Sequence, residues 1–326
     1  MCLKSLMRQL PVYFSKLYNK YIQIEIFIYT SMSVFVYIMI LCLLIADSGT
    51  VISGASYGLM LWYKNVVPIL LPFMLISSLV VERIAAGKSR RTALFSTIFL
   101  GALCGYPIGA RVTDEYVTLG MYEKRMGNII LPLCNNSSPM FISGYIVSCI
   151  LKNKISFFTV ILIIYAPYIF VTLISLLLSK SKKSKSNIEK QEAASHGAKS
   201  NLTTARKTND AMLSSIIQIT YVGIYIMICS IIMQFILKID FVPYDLRICL
   251  SSAVEITRGA DMVYNYALMP ENIKTALLLA LTSFGGVSSI LQTNKVIANS
   301  RLSIIRYIFM KVLCAAMSFF LGVLII

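Results

Sequence analysis

The chain has 326 residues, 57% of them hydrophobic and 13% charged, with a formal net charge of +16 and a mean hydropathy of +0.76. Soluble domains carry about 25% charged residues, so this composition excludes an ordinary soluble protein and implies one that crosses a lipid bilayer several times. The lysines and arginines gather in short stretches between apolar runs, as in cytoplasmic loops, so no nucleic-acid partner is expected despite the charge.

Most of the cysteines fall inside apolar segments without CxxC spacing, and the only histidine, His196, stands in a polar stretch. Neither a disulfide framework, a metal centre nor a histidine-based triad has its parts, so the chain is not read as an enzyme. No cofactor is expected beyond a coupling ion, H+ or Na+.

Residues 1–23 interleave Lys4, Arg8, Lys16 and Lys20 with Tyr13, Phe14, Tyr18 and Tyr21, a mixture suited to the membrane surface. Residues 24–46 are long enough to span and lack a small-residue cleavage site, which predicts an uncleaved anchor. Residues 54–63 end in Trp62 and Tyr63 and read as an interfacial helix. A short span with Pro68 and Pro72 follows over 66–81, then a basic turn with Lys88, Arg90 and Arg91.

Two half-length helices, 92–104 and 108–119, flank a break at 104–109, where Gly105, Tyr106, Pro107 and Gly109 remove helix propensity and a backbone donor. Because Glu123, Lys124 and Arg125 follow, these half-spans return to a basic side as a re-entrant hairpin. Residues 129–151 cross next, broken at 135–139 by Asn135, Asn136, Ser137, Ser138 and Pro139, and 155–178 form a full span.

A Lys- and Ser-rich linker, 180–210, separates the first half (24–179) from the second (211–326) and reads as cytoplasmic. In the second half 212–237 spans, 240–245 turns, and 246–266 reads as one mixed apolar helix containing Glu255. Residues 275–297 are interrupted by Gly285 and Gly286, a broken helix at 284–288, and 304–326 close the chain. The expected fold is all-α: a polytopic helical membrane protein with two repeats, broken helices and re-entrant hairpins.

The repeat is read from Thr92-Ala93-Leu94 ahead of the Gly105 break and Thr275-Ala276-Leu277 ahead of the Gly285 break. Gly- or Pro-interrupted segments in corresponding positions of two halves point to a transporter's binding site. Orientation is contradictory on this alignment. Lys295, Arg301 and Arg306 place the second broken segment near the cytoplasm, whereas an inverted repeat opens it to the other side.

Non-helical backbone at membrane depth is tolerated only where protein buries it or it lines a cavity, so each break is a candidate binding site. Half-helices starting near Ile108 and Val287 would expose N–H groups and positive dipole ends, which favour an anion. Arg111 could hold a carboxylate with two parallel hydrogen bonds, or pair along its helix with Asp114. Asn135, Asn136, Ser137 and Ser138 offer amides and hydroxyls to a ligand or cation, or merely satisfy the broken backbone. Ser288, Ser289 and Gln292 present a matching polar face after Gly286. Glu255, with Thr257 beside it, could carry a proton or couple an ion, or pair with Arg258; Asp114 is a further coupling candidate.

The GYPIGAR, NNSSP, EIT and FGGVSSILQ runs, in this order and separated by a polar linker, resemble the sporulation integral membrane protein family of YlbJ type. That family belongs with the nucleoside-recognition, or gate-domain, membrane proteins. The resemblance covers about residues 50–325, with Cys104 where the family has Ser or Gly, Arg111 where it has Lys, and Ser137 where it has Ala. It implies a fold similar to concentrative nucleoside transporters, residence in the cell membrane or outer forespore membrane, and transport of a small anion such as dipicolinate. A nucleoside carrier and a non-transporting scaffold for spore formation are the alternatives. The expected partners are a small anionic substrate and the lipid bilayer, with a homo-oligomer left possible.

Overall fold

A computed structural model describes residues 34, 37–86, 89–181 and 204–326. The interfacial segment expected over 1–23, most of the anchor at 24–46 and the greater part of the 180–210 linker lie outside the described residues. The chain divides into two compact units, Met1–Ile52 and Ser53–Ile326. In the first, a helix over Tyr37–Ala46 is followed by Asp47, whose carboxylate accepts hydrogen bonds from the Thr50 N–H (3.2 Å) and hydroxyl (2.8 Å). This caps the start of α1 (Ser48–Leu61).

The second unit is built of helices joined by short turns and breaks, with no strand among its described residues. A π-helical turn, Trp62–Val66, joins α1 to α2 (Val67–Ala86), which runs through Pro72. Then come α3 (Arg90–Cys104), α4 (Ile108–Thr118), α5 (Lys124–Cys134) and α6 (Pro139–Phe141), the last continuing as a π-helix over Ile142–Ile150. The full-length helices α7 (Phe157–Ser181) and α8 (Thr204–Leu237) follow. The chain ends with α9 (Tyr244–Val254), α10 (Ile256–Tyr264), α11 (Glu271–Phe284), α12 (Gly286–Val296) and α13 (Ile304–Ile325). Four segments are long and apolar enough to cross a membrane: Phe157–Ser179, Ser215–Leu237, Glu271–Val296 and Ile304–Ile325. Tyr37–Ala46 with Ser48–Val66 makes a fifth if that pair counts as one span. The protein is thus an all-α, multi-pass membrane protein.

The element order repeats. Each half holds a helical hairpin (α3–α4, α9–α10), a broken crossing (α5–α6 and its π-helix, α11–α12) and an unbroken helix (α7, α13). This corrects two expectations. The stretch 246–266 is not one helix but folds back at Glu255, whose backbone is extended (φ −135°, ψ 114°). The repeat therefore pairs the Gly105 break with Glu255 and the Asn135–Ser138 break with Gly285-Gly286, so the Thr-Ala-Leu match aligned elements that are not equivalent.

The correct pairing also removes the contradiction over orientation. At one end of the unit, Arg125 donates to the Ser179 carbonyl (3.3 Å) and the Ser303 N–H to Asn128 (2.8 Å), which gathers the start of α5, directly after the first hairpin, with the end of α7 and the start of α13. The broken crossing leads to the opposite end, where Lys154 pairs with Glu271 and the Tyr266 hydroxyl donates to Asp245 at the base of the second hairpin. The hairpins enter from opposite ends, an inverted arrangement. Arg90, Arg91, Lys124, Arg125, Arg301 and Arg306 belong to the first end, with Glu123 among them, while the second mixes Lys154, Lys238, Arg247 and Lys274 with Asp240, Asp245 and Glu271.

Candidate functional site at the meeting of the helix breaks

Glycine lets the first hairpin tip touch the first broken crossing. Gly105 has φ +73°, and a Cβ there would lie 2.6 Å from the Asn136 carbonyl oxygen. The next N–H, of Tyr106, donates to that same oxygen at 2.9 Å. A Cβ on Gly109 would lie 2.0 Å from the Cys134 carbonyl oxygen, so α4 rests directly on the end of α5.

The Asn-Asn-Ser-Ser stretch is largely occupied in satisfying this broken backbone. Asn135 accepts from the Ala110 N–H (3.2 Å), serving as a remote cap for α4, and its amide donates to Thr293 (2.7 Å) and Tyr307 (2.9 Å). The Asn136 amide donates to the Pro132 and Leu133 carbonyls at the end of α5. The Ser137 hydroxyl donates to the Thr282 carbonyl (2.8 Å), tying one broken crossing to the other, and Ser138 caps α6 through the Phe141 N–H (3.2 Å).

At the second hairpin tip the cap is a carboxylate. Glu255, only 3% exposed, accepts from the N–H groups of Thr257 and Arg258, both at 3.0 Å. Its contact with Arg258 is therefore through the backbone; the guanidinium lies over the Tyr57 ring, 4.8 Å from the centroid. The Thr257 carbonyl accepts from the Tyr145 hydroxyl at 2.6 Å. Gly286, with φ +78°, would put a Cβ 3.2 Å from the Val254 carbonyl oxygen, and a Cβ on Gly285 would lie 3.4 Å from the Tyr106 ring. The fourth break thus touches both hairpin tips.

A cavity of about 100 Å³ lies where the breaks meet, lined by Tyr106, Ser137, Ser138, Glu255, Thr257 and Ser288, with Gly285 and Gln292 also on its wall. Val222 and Ile226 of α8 supply apolar surface. One water needs about 10–15 Å³, so the space takes several waters or a small solute. Four helices, α4, α6, α10 and α12, begin at its margin. The positive dipole ends of these starts favour negative charge, although Asn135, Ser138 and Glu255 already cap N–H groups of α4, α6 and α10. The Glu255 carboxylate already meets one of them, and no lysine or arginine lines this cavity.

Arg111 and Asp114 lie elsewhere. They line a second, larger cavity of about 320 Å³ with Glu115, Lys295, Tyr221 and Asn299, and this cavity shares Val222 and Gln292 with the first. Arg111 pairs with Glu115 (3.1 Å), not with Asp114, and also donates to Ser215 (3.2 Å). Asp114 accepts from the N–H (2.9 Å) and hydroxyl (2.5 Å) of Ser300. Of the other expected residues, Gly105, Pro107, Gly109, Asn135, Asn136 and Gly286 line neither cavity and act by building the breaks.

Sequence reasoning missed the fold-back at Glu255 and the buried Lys311 on α13, which donates to Asn136 and to the Ser283 carbonyl. A lysine in the middle of an apolar 22-residue helix was itself the signal, since an ionisable group inside a membrane segment is functional by default. Comparison with protein families, with curated proteins and with solved structures finds no match to this chain.

Proposed function

We propose that the protein is a secondary carrier for a small polar solute, which binds where the four helix breaks meet. The observation that carries this reading is the convergence of two oppositely entering hairpins and two broken crossings on one small, polar, partly enclosed cavity. Irregular backbone at membrane depth is stable only in such a setting, and inverted repeats with broken helices are how alternating-access carriers build their sites. The larger cavity adjoins the first through Gln292 and Val222 and forms the vestibule on the arginine-rich end, which the positive-inside rule makes cytoplasmic.

The favoured solute is an anion. The helix starts supply positive potential, Ser137, Ser138, Ser288 and Gln292 supply hydrogen-bonding groups, and in the vestibule Arg111 and Lys295 offset the charges of Asp114 and Glu115, so that an anion is not repelled on its way to the site. Glu255 then acts as the coupling group, its carboxylate taking up a proton when an anion occupies the cavity beside it. Together with the resemblance of the GYPIGAR, NNSSP, EIT and FGGVSSILQ runs to sporulation membrane proteins of YlbJ type, this makes dipicolinate the first solute to try, and the outer forespore membrane the location to test.

The test is uptake of labelled dipicolinate and of uridine into proteoliposomes, with thermal shift of the purified protein in parallel. Dipicolinate uptake that fails in Glu255→Gln, while the variant remains folded, supports the anion carrier. Uridine uptake alone moves the protein to the nucleoside branch, and absence of both removes the carrier reading.

A further inference from the structure

Lys311 is fully buried, and its ammonium lies between the C-terminal ends of the two broken half-helices. It donates to the Asn136 side-chain oxygen at 2.9 Å and to the Ser283 backbone carbonyl at 2.8 Å. Asn136 is itself bonded through its amide to the Pro132 and Leu133 carbonyls that end α5, and Ser283 stands in the last turn of α11. Neither hydrogen-bond partner is a carboxylate. The faces of Tyr168 and Tyr307 complete the surroundings, with ring centroids 5.1 and 5.9 Å from the nitrogen.

Each feature of this site favours a cation. Half-helix C-termini carry the negative ends of their dipoles, and here two of them converge. The Ser283 carbonyl accepts from the Tyr168 hydroxyl (2.7 Å) as well as from Lys311, and the Asn136 amide takes the carbonyls that end α5. An amide oxygen and a backbone carbonyl are the hard, neutral ligands that bind alkali-metal ions, and unwound carbonyls at helix ends coordinate Na+ in carriers of broken-helix design. Aromatic faces add further attraction for positive charge. The position corresponds in both repeats, because α5 and α11 are equivalent elements. A buried ammonium without a carboxylate partner is costly unless something replaces water.

We propose that Lys311 is a resident cation: its ammonium fills the place between the two half-helix ends that an alkali-metal ion would otherwise occupy, and it cross-links the repeats there permanently. The broken crossings are then held together without Na+, and any coupling must come from elsewhere, such as a proton on Glu255. That last consequence rests on the carrier reading; the cation site does not.

The experiment measures thermal unfolding of the full-length protein in detergent, in NaCl, KCl and choline chloride at equal ionic strength. Wild-type protein is expected to unfold at the same temperature in all three. Lys311→Ala, which removes the ammonium and leaves space beside the carbonyls, is expected to unfold several degrees lower in choline and to regain part of that loss in NaCl. Lys311→Met, which fills the space without charge, is expected to lose stability and regain none of it in any salt. A Na+-specific stabilisation of the wild-type protein overturns the proposal and needs no variant. So does a Lys311→Ala protein as stable as wild type, or one that NaCl restores no better than choline. Solute uptake is not read, so failure of the carrier assignment leaves this test intact.

Discussion

The two hairpin tips occupy equivalent places in the repeats and are finished by different chemistry. At the first, Gly105, Tyr106 and Pro107 carry no charge, and the tip is fixed by backbone: the Tyr106 N–H on the Asn136 carbonyl and α4 pressed against Cys134. At the second, a single carboxylate closes the turn by accepting two N–H groups of α10. Both tips place a glycine four residues on, Gly109 and Gly259, but these face different neighbours. Gly109 meets the broken crossing, whereas Gly259 meets Ser252 on the first arm of its own hairpin. The first tip is therefore seated by backbone pressed against the neighbouring break, whereas the second is joined to its neighbours through the Tyr145 hydroxyl, the Tyr57 ring and the close approach of Gly286.

The largest expected effect breaks the first tip. In Gly109→Ala the new methyl would lie 2.0 Å from the Cys134 carbonyl oxygen, with backbone on both sides and no flexible side chain to yield. Overpacking costs about 1–3 kcal/mol and more where backbone must shift, so about 3 kcal/mol is expected by chemical or thermal denaturation. Gly259→Ala, 2.4 Å from the Ser252 Cα, strains one hairpin rather than the whole site. It should cost less in stability, about 2 kcal/mol. Equal costs at the two positions would remove the distinction between the tips.

The next test separates cap from charge at the second tip. Glu255→Ala leaves the Thr257 and Arg258 N–H groups without their acceptor, and loss of an N-cap costs about 0.5–2 kcal/mol. Glu255→Gln keeps one acceptor oxygen and the volume, so it should recover about half of that stability. If the carboxylate serves coupling as well as capping, Gln restores the melting temperature without restoring uptake. A Gln variant that transports normally confines Glu255 to its cap.

Much of this architecture was legible because glycine, proline and side-chain amides interrupt apolar runs visibly. Helices end at Cys104, Cys134 and Phe284, beside the Gly105, Asn135 and Gly285 positions where the sequence interrupts its apolar runs. The break at Glu255 was hidden because Val254, Ile256 and Thr257 continue the apolar run, and a capping glutamate looks the same in sequence as a glutamate within a helix. The partner of Arg111 was misplaced for a related reason. Positions three and four along are both helix neighbours, and what decides for Glu115 is that Ser300, distant in sequence, takes Asp114. The separation of Arg111 from the central cavity likewise depends on α8 packing across the breaks, which no local motif encodes.

Arg111 gives the smallest effect and the one that most sharpens the contrast between cavity and vestibule. Its removal costs an i,i+4 pair with a one-third-exposed glutamate, about 0.3–0.5 kcal/mol, together with the bond to Ser215, so overall stability should fall by about 1 kcal/mol. Because Arg111 lines the vestibule and not the central cavity, Arg111→Ala should raise the solute concentration needed for half-maximal uptake while leaving the maximal rate near wild type. The effect should shrink as salt is added, since attraction over vestibule distances is screened within about 8–10 Å at physiological ionic strength. A collapse of the maximal rate in Arg111→Ala would instead put the guanidinium on the solute during the crossing itself. The vestibule and the cavity would then be one site, and the conformation described above the one in which Arg111 is turned away to Glu115.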